Sequence, residues 1–158
     1  MEAFECSSEL SEIATQALRE QRLSGRVELC GPDEVPDQMG VHDGCFVGFG
    51  AYMHIVGREH RVKFLTNIRA HVKTGGPILV SFSPRHDESF RFRLIRAAAW
   101  AAQPFGSRSH RVELGDTLSG RFDHFFSERE LAEELAKAGF QLKMFRDQPF
   151  ASAVGHAV

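Results

Sequence analysis

The stretch Asp43–Phe82, DGCFVGFGAYMHIVGREHRVKFLTNIRAHVKTGGPILVSF, decides the fold. Cys45–Phe49 is short, apolar and bounded by glycines, and reads as a strand. Arg58–Lys73 carries Val62, Leu65, Ile68 and Val72 at helical spacing. Gly75-Gly76-Pro77 stops that helix, because glycine accepts the left-handed cap and proline cannot continue a helix. Ile78–Phe82 is then an almost unbroken apolar run, as expected of a parallel strand covered on both faces. Together these segments form one βαβ unit, and the remaining elements flank it.

Upstream, Met1–Glu5 is compatible with the end of a strand. Ser7 or Ser8 can cap the next helix, with Glu9 favourable in its first turn. Leu10, Ile13, Ala14, Ala17 and Leu18 form its apolar stripe, and the helix is expected to end near Leu23-Ser24-Gly25. Arg26–Cys30 reads as a strand, and Gly31–Gly44 as a loop rich in glycine, proline and aspartate. Downstream, Ser89–Gln103 is a helix stopped by Pro104, and Arg111–Leu114 a short strand. Ser127-Glu128-Arg129-Glu130 has the spacing of a capping box for a helix that Gly139 ends. Phe140–Phe145 and Phe150–Val154 form a closing pair of strands. Strands alternating with helices argue an α/β sheet packed on both faces.

The 158 residues suffice for one domain with a core, and 42% hydrophobic with 25% charged residues is an ordinary globular composition. A formal net charge of -2 gives no global attraction to nucleic acid or to an anionic membrane. Fourteen phenylalanines against one Trp and one Tyr read as core filling. Cys6, Cys30 and Cys45 are widely spaced and form no CxxC pair, so buried, reduced thiols in a cytoplasmic protein are expected. No signal peptide and no membrane-length apolar run is seen. His86-Asp87-Glu88 cannot converge on one metal ion, being adjacent, and reads as a solvated loop.

The order of these elements resembles the class I S-adenosylmethionine-dependent methyltransferases. Glu5-Cys6-Ser7-Ser8-Glu9-Leu10 fits the family's acidic strand end and the pattern that opens the following helix. Gly31-Pro32-Asp33-Glu34-Val35-Pro36 resembles its G-D-x-x-x-(L/V)-P turn, with proline in the place of the aspartate. Asp43–Gly50, Lys73–Phe82 and His124-Phe125-Phe126-Ser127 through Ala138-Gly139-Phe140 match its later strands and final helix. The resemblance implies an α/β, Rossmann-like, mostly parallel sheet with helices on both faces and a C-terminal antiparallel hairpin. It also implies that the family's first strand, its glycine-rich loop and the helix after it are missing. That strand sits mid-sheet in the family, so two half-sheets without a shared partner are expected. A fragmentary sequence, a strand supplied by a second chain, and a rearranged fold are the three readings, all of a single, partial domain spanning residues 1–158.

The resemblance further implies S-adenosyl-L-methionine as cofactor and a methyl transferase acting on a small-molecule acceptor. Glu5, with Cys6, would accept hydrogen bonds from the ribose hydroxyls. Gly31, Pro32 and Asp33 would lie beside the adenine, Asp33 replacing the displaced aspartate, although a plain turn explains them as well. Phe49, Gly50 and Ala51 would line the crevice at a strand's carboxyl end. Tyr52 and His54 are candidates to face the acceptor, His54 as general base, against the alternative of an ordinary helix-start histidine. Arg85 and Arg91 are candidate acceptor-side cations in a segment, residues 85–111, with six arginines against two acids. A solvated helix face is the favoured explanation of that segment, and an RNA-binding role lacks the interleaved aromatics that stack bases. A non-catalytic, methyltransferase-like association partner is the other reading.

Overall fold

The computed structural model describes residues 1–36, 38–85, 90–102, 112–117 and 122–158, except the side chains at 91, 96 and 99–102. The chain divides into two compact units, Met1–Gly40 and Val41–Val158.

The first unit is a small βαβ motif. Strand β1 (Glu2–Glu5) leads to helix α1 (Ser8–Glu20) and strand β2 (Arg26–Leu29). The two strands pair in parallel, from Glu2 opposite Arg26 to Glu5 opposite Leu29. Of the two candidate caps the structure uses Ser7, whose side chain accepts from the Leu10 N–H. That bond satisfies one of the donors a helix start leaves without a partner. The helix ends at Glu20, earlier than its apolar spacing suggests, and the chain turns out through Arg22 at φ 54. The apolar stripe forms as expected but is poorly covered. Leu10 and Ile13 are exposed, Ala14, Ala17 and Leu18 half-buried, and no described residue of this unit is buried.

The second unit holds the core. In chain order it contains β3 (Cys45–Val47), a 3₁₀ turn (Ala51–His54), α2 (Arg58–Ala70), β4 (Pro77–Ser81) and β5 (Ser83–Pro84). These are followed by α3 (Phe90–Ala102), β6 (Phe125–Phe126), α4 (Glu128–Lys137), β7 (Phe140–Arg146) and β8 (Ser152–Ala157). The βαβ unit of Asp43–Phe82 is present: β3 and β4 pair in parallel, joined by α2. Gly76 makes the join possible, since a Cβ there would lie 2.5 Å from the Asp43 carbonyl oxygen. The C-terminal hairpin is also present, β8 running antiparallel to both β7 and β4. The strand order is β3-β4-β8-β7, and β5 pairs in parallel with β6 as a separate two-stranded ladder. As the resemblance implied, β1–β2 and β3-β4-β8-β7 are separate sheets.

Leu65, Ile78, Val80, Leu131 and Leu135 are wholly buried, with Val47 and Ile68 nearly so. An aromatic group joins them: Tyr52 stacks on Phe126 with 5.2 Å between centroids, and Phe82 meets both Phe126 and Phe145. The burial of α4 follows its amphipathic stripe, and Ser127 caps it by accepting from the Glu130 N–H.

Three boundaries differ from the sequence expectation. Helix α2 stops at Ala70 because Val72 bridges to His42 instead. The last strand lies at Ser152–Ala157, so Phe150 is left 85% exposed. Its inward positions are Ala153, Gly155 and Ala157, small residues that give little apolar signal, and Gly155 fits closely against Ile78, Phe140 and Leu135. Val112–Leu114 is not a strand, and the short strands β5 and β6 were not expected from the sequence. His86–Glu88, Arg108 and Arg111 lie outside the described residues, as do the side chains of Arg91 and Arg96. No helix among the described residues is long and apolar enough to cross a membrane.

Candidate functional site

Parallel strands bring their carboxyl ends to one edge, which is where open α/β sheets bind ligands. In the first unit that edge gathers most of the expected cofactor residues. Glu5 ends β1, and its backbone carbonyl accepts from the Cys30 N–H at 3.0 Å, which sets Glu5 beside the end of β2. Its carboxylate Oε1 accepts from the N–H groups of Cys6 and Ser7 at 2.8 and 3.0 Å. Those two bonds hold the carboxylate at the mouth of the β1–α1 turn. Gly31–Glu34 is a turn closed on itself: the Glu34 N–H donates to the Gly31 carbonyl, and the Gly31 N–H donates to Glu34 Oε2. Pro32 and Asp33 sit exposed at its tip. The Cys30 thiol is pushed up by burial, by Cys6 and by the carboxylates of Glu34 and Glu5, which disfavours its thiolate.

In the second unit, Phe49, Gly50 and Ala51 follow the carboxyl end of β3. The Gly50 N–H donates to Ser81 Oγ at 2.9 Å, and that hydroxyl donates to the Val47 carbonyl, tying the turn to both β3 and β4. Phe49 adopts φ 52, a costly conformation for a bulky residue, and its side chain is fully exposed. Strain of this kind persists where the surrounding structure imposes it, and it aims the ring outward from the strand end.

Tyr52 and Arg85 take posts other than those the sequence suggested. Tyr52 is wholly buried, and its hydroxyl donates to Glu134 Oε2 at 2.5 Å. Burial and the Glu134 carboxylate hold its phenol well above the ordinary range, so it stays protonated and serves the core. Arg85 is buried as well. Its Nε donates to the Phe125 carbonyl at 3.1 Å and its Nη2 to Glu130 Oε2 at 2.8 Å, so it ties β5 to β6 and α4. His54 stays half-exposed on the 3₁₀ turn. Its Nδ1 hydrogen-bonds to the Phe122 carbonyl at 3.2 Å, a contact that orients an imidazole ring, and Asp123 Oδ1 lies 3.0 Å away.

The largest polar feature was not anticipated. Arg61, on α2, is wholly buried and donates through Nε and Nη2 to Glu134 on α4, and through Nη2 to Glu113 at 2.7 Å. Its guanidinium also lies over the Phe126 ring, 5.3 Å from the centroid. Beside it, His124 is buried between two carboxylates: Nδ1 is 2.6 Å from Asp116 Oδ1 and Nε2 is 3.0 Å from Glu130 Oε1. Burial opposes charge on that ring, but the bonds to Asp116 and Glu130 outweigh it and raise its pKa. Glu130 is opposed in the same way by burial and held low by His124 and then Arg85. Each buried charge thus has a partner, which is the condition for burying it at all. Glu113, Asp116 and His124 do bring three ligand atoms within 4.8 Å of one another. Arg61 occupies Glu113, the Glu113 N–H occupies Asp116 Oδ2, and His124 takes Asp116 Oδ1, so the group works as an ion-pair network.

No family model matches the sequence, and no curated protein does. Solved structures do match. An S-adenosylmethionine-dependent methyltransferase from Methanosarcina mazei superposes with a TM-score of 0.70 at 14% identity, over 99% of this chain and 81% of that one. One from Clostridium acetobutylicum gives 0.68 at 11% identity, over 99% and 74%. The 1,6-didemethyltoxoflavin-N1-methyltransferase of Burkholderia thailandensis, solved with its substrate and S-adenosylhomocysteine, gives 0.65 at 17% identity, over 99% and 60%. At these identities the likeness establishes architecture, and with the strand order and the terminal hairpin it fixes one conclusion: this chain carries the fold of the class I S-adenosylmethionine-dependent methyltransferases.

Proposed function

We propose that the chain supplies the carboxyl-terminal part of a methyltransferase that binds S-adenosyl-L-methionine and methylates a small-molecule acceptor. The observation that supports this most is the pairing of Glu5 with the Gly31 turn at the carboxyl ends of adjacent parallel strands. A carboxylate held there accepts from two vicinal hydroxyls, and Glu5 Oε1 is already oriented by the Cys6 and Ser7 N–H groups. Gly31, Pro32 and Asp33 would meet the adenine edge, with the exposed Asp33 accepting from its exocyclic amine. When bound, the sulfonium supplies an electrophilic methyl group to an acceptor heteroatom in line with it. His54, whose Nδ1 lies 3.2 Å from the Phe122 carbonyl and 3.0 Å from Asp123 Oδ1, would accept the acceptor's proton. Orientation of the two substrates carries most of the rate in such a displacement.

Strand β3 pairs only with β4 among the described residues, so its outer edge is open to a further parallel strand. A glycine-rich strand and loop, from the same polypeptide or a second chain, would complete the methionine end of the site there. The same open edge supports the second reading, a methyltransferase-like partner that acts by association. Titration calorimetry with S-adenosylmethionine and S-adenosylhomocysteine separates them. Binding by the chain together with a glycine-rich complementing segment, lost in Glu5→Gln, is expected. Absence of binding with and without that segment would remove the enzymatic reading and leave association.

A further inference from the structure

Two short legs of chain, Val112–Thr117 and Phe122–Phe126, lie against each other. The Thr117 N–H donates to the Asp123 carbonyl, the Phe125 N–H to the Gly115 carbonyl, and Asp116 bridges antiparallel to His124. Gly115 permits the closeness: at φ 118, a Cβ there would lie 2.3 Å from the Phe125 carbonyl oxygen. The pair of legs touches the turn that follows β3. The His124 N–H donates to the Met53 carbonyl at 2.9 Å, and His54 Nδ1 lies 3.2 Å from the Phe122 carbonyl and 3.0 Å from Asp123 Oδ1.

What sets the height of the legs is side-chain chemistry, since only a few backbone bonds hold them. Glu113 accepts from the Arg58 N–H and from Arg61, both on α2. His124 reaches Asp116 on the opposite leg and Glu130 on α4. Both ring nitrogens lie within hydrogen-bond distance of a carboxylate oxygen, and a pair of such acceptors favours the doubly protonated ring. Around it stand Asp116 from the first leg, Glu130 from α4, Arg61 from α2 and Arg85 just after β5, the last tied to Glu130. Glu130 shows where the sequence was diverted. Its spacing from Ser127 is that of a capping box, yet its carboxylate binds His124 and Arg85 and does not return to the helix start.

We infer that His124 is a positioning residue: its buried bridge from Asp116 to Glu130 fixes the two legs so that the Phe122 carbonyl, with the Asp123 carboxylate beside it, orients the His54 ring. The contact with His54 is a property of this structure, and only its catalytic consequence rests on the methyltransferase reading above. His124 does not touch a substrate in this scheme. It acts through the leg that carries Phe122 and Asp123.

The test is nitrogen-15 NMR of the histidine rings in the whole chain, with hydrogen exchange read alongside. In the wild type, His54 Nδ1 should show the signal of a hydrogen-bonded nitrogen. His124→Phe keeps a ring against Phe126, whose centroid is 4.5 Å from that of His124, but removes both donors. It should move the His54 signal to that of a solvated imidazole, and raise exchange at Thr117, Asp123 and Phe125 by about tenfold or more. Exchange in β4 and β8 should stay as in the wild type. Asp116→Asn weakens the bridge without emptying it and should give the same shifts at smaller amplitude, which keeps the test decisive if His124→Phe fails to fold. A His54 signal unchanged in a folded variant, or loss of protection spread evenly through β4 and β8, would overturn the proposal. If wild-type protein plus its complementing segment binds no S-adenosylmethionine while the His54 signal still follows His124, the bridge stands and the enzymatic reading falls.

Discussion

The two units use the same motif, parallel strands joined by a helix, and reach opposite degrees of burial. In Met1–Gly40 the ladder is complete and the cap is made, yet no described residue is buried and Leu10 and Ile13 face solvent. In Val41–Val158 the corresponding ladder is a residue shorter, three strand positions against four, yet α2, α4 and the hairpin bury Leu65, Ile78, Leu131 and Leu135 completely. Local hydrogen bonding is therefore not what separates them. A piece of about forty residues has too little interior to cover a helix stripe, whereas a further layer of helices and strands closes over the second. The expected ribose carboxylate, Glu5, lies in the poorly buried unit, and the ion-pair network lies in the well buried one.

The contrast predicts unequal responses to matched substitutions. Arg61→Leu should have the largest effect, about 3–5 kcal/mol in urea denaturation of the second unit, because Glu134 and Glu113 would lose their buried cation. The matched change in the first unit, Arg26→Leu, removes exposed pairs with Glu2 and Glu28 and should cost about 1 kcal/mol or less. A loss at Arg61 as small as that expected at Arg26 would show that the buried network adds nothing to stability. Leu131→Ala should follow at about 2–5 kcal/mol. Leu10→Ala, at a residue 53% exposed, should stay within about 0.5 kcal/mol. A larger cost at Leu10 would mean that α1 is covered in solution.

Titration should give a smaller effect confined to the second unit. His124 binds its proton more tightly when folded, so its stabilising contribution is complete below about pH 6.5 and is lost as pH rises through the raised folded value. Glu130 has the opposite sign: its contribution is present above its ordinary pKa and is lost as pH falls through the lowered folded value. Stability should therefore be greatest between the two ordinary values, and His124→Phe should remove the alkaline slope and shrink the acid one, Arg85 alone then holding Glu130 low. The smallest effect compares the caps. Ser127→Ala and Ser7→Ala should each cost about 1 kcal/mol of helix stability, seen as faster exchange in the first turns of α4 and α1. Equal effects are expected because a cap acts within a single turn, whatever lies beneath the helix.

The sequence by itself determined the elements whose signal is local: the stripe of α2, the glycine stop after it, the two serine caps and the order that resembles a methyltransferase. It also carried a sign of the ion-pair network that was passed over. Arg61 stands four residues before Leu65, in phase with the apolar stripe, and Glu134 lies between Leu131 and Leu135 on the buried face of α4. A charge in phase with a stripe on each of two helices calls for a partner, but spacing along one chain does not say that these two are partners. That required α2 and α4 to meet. Tertiary structure alone decided that Tyr52 and Arg85 belong to the interior, that Phe125–Phe126 pairs with Ser83–Pro84, and that His124 stands between Asp116 and Glu130. Each depends on the mutual approach of segments distant in the chain, where burial makes an unpaired charge too costly to keep and leaves few arrangements that pair them all.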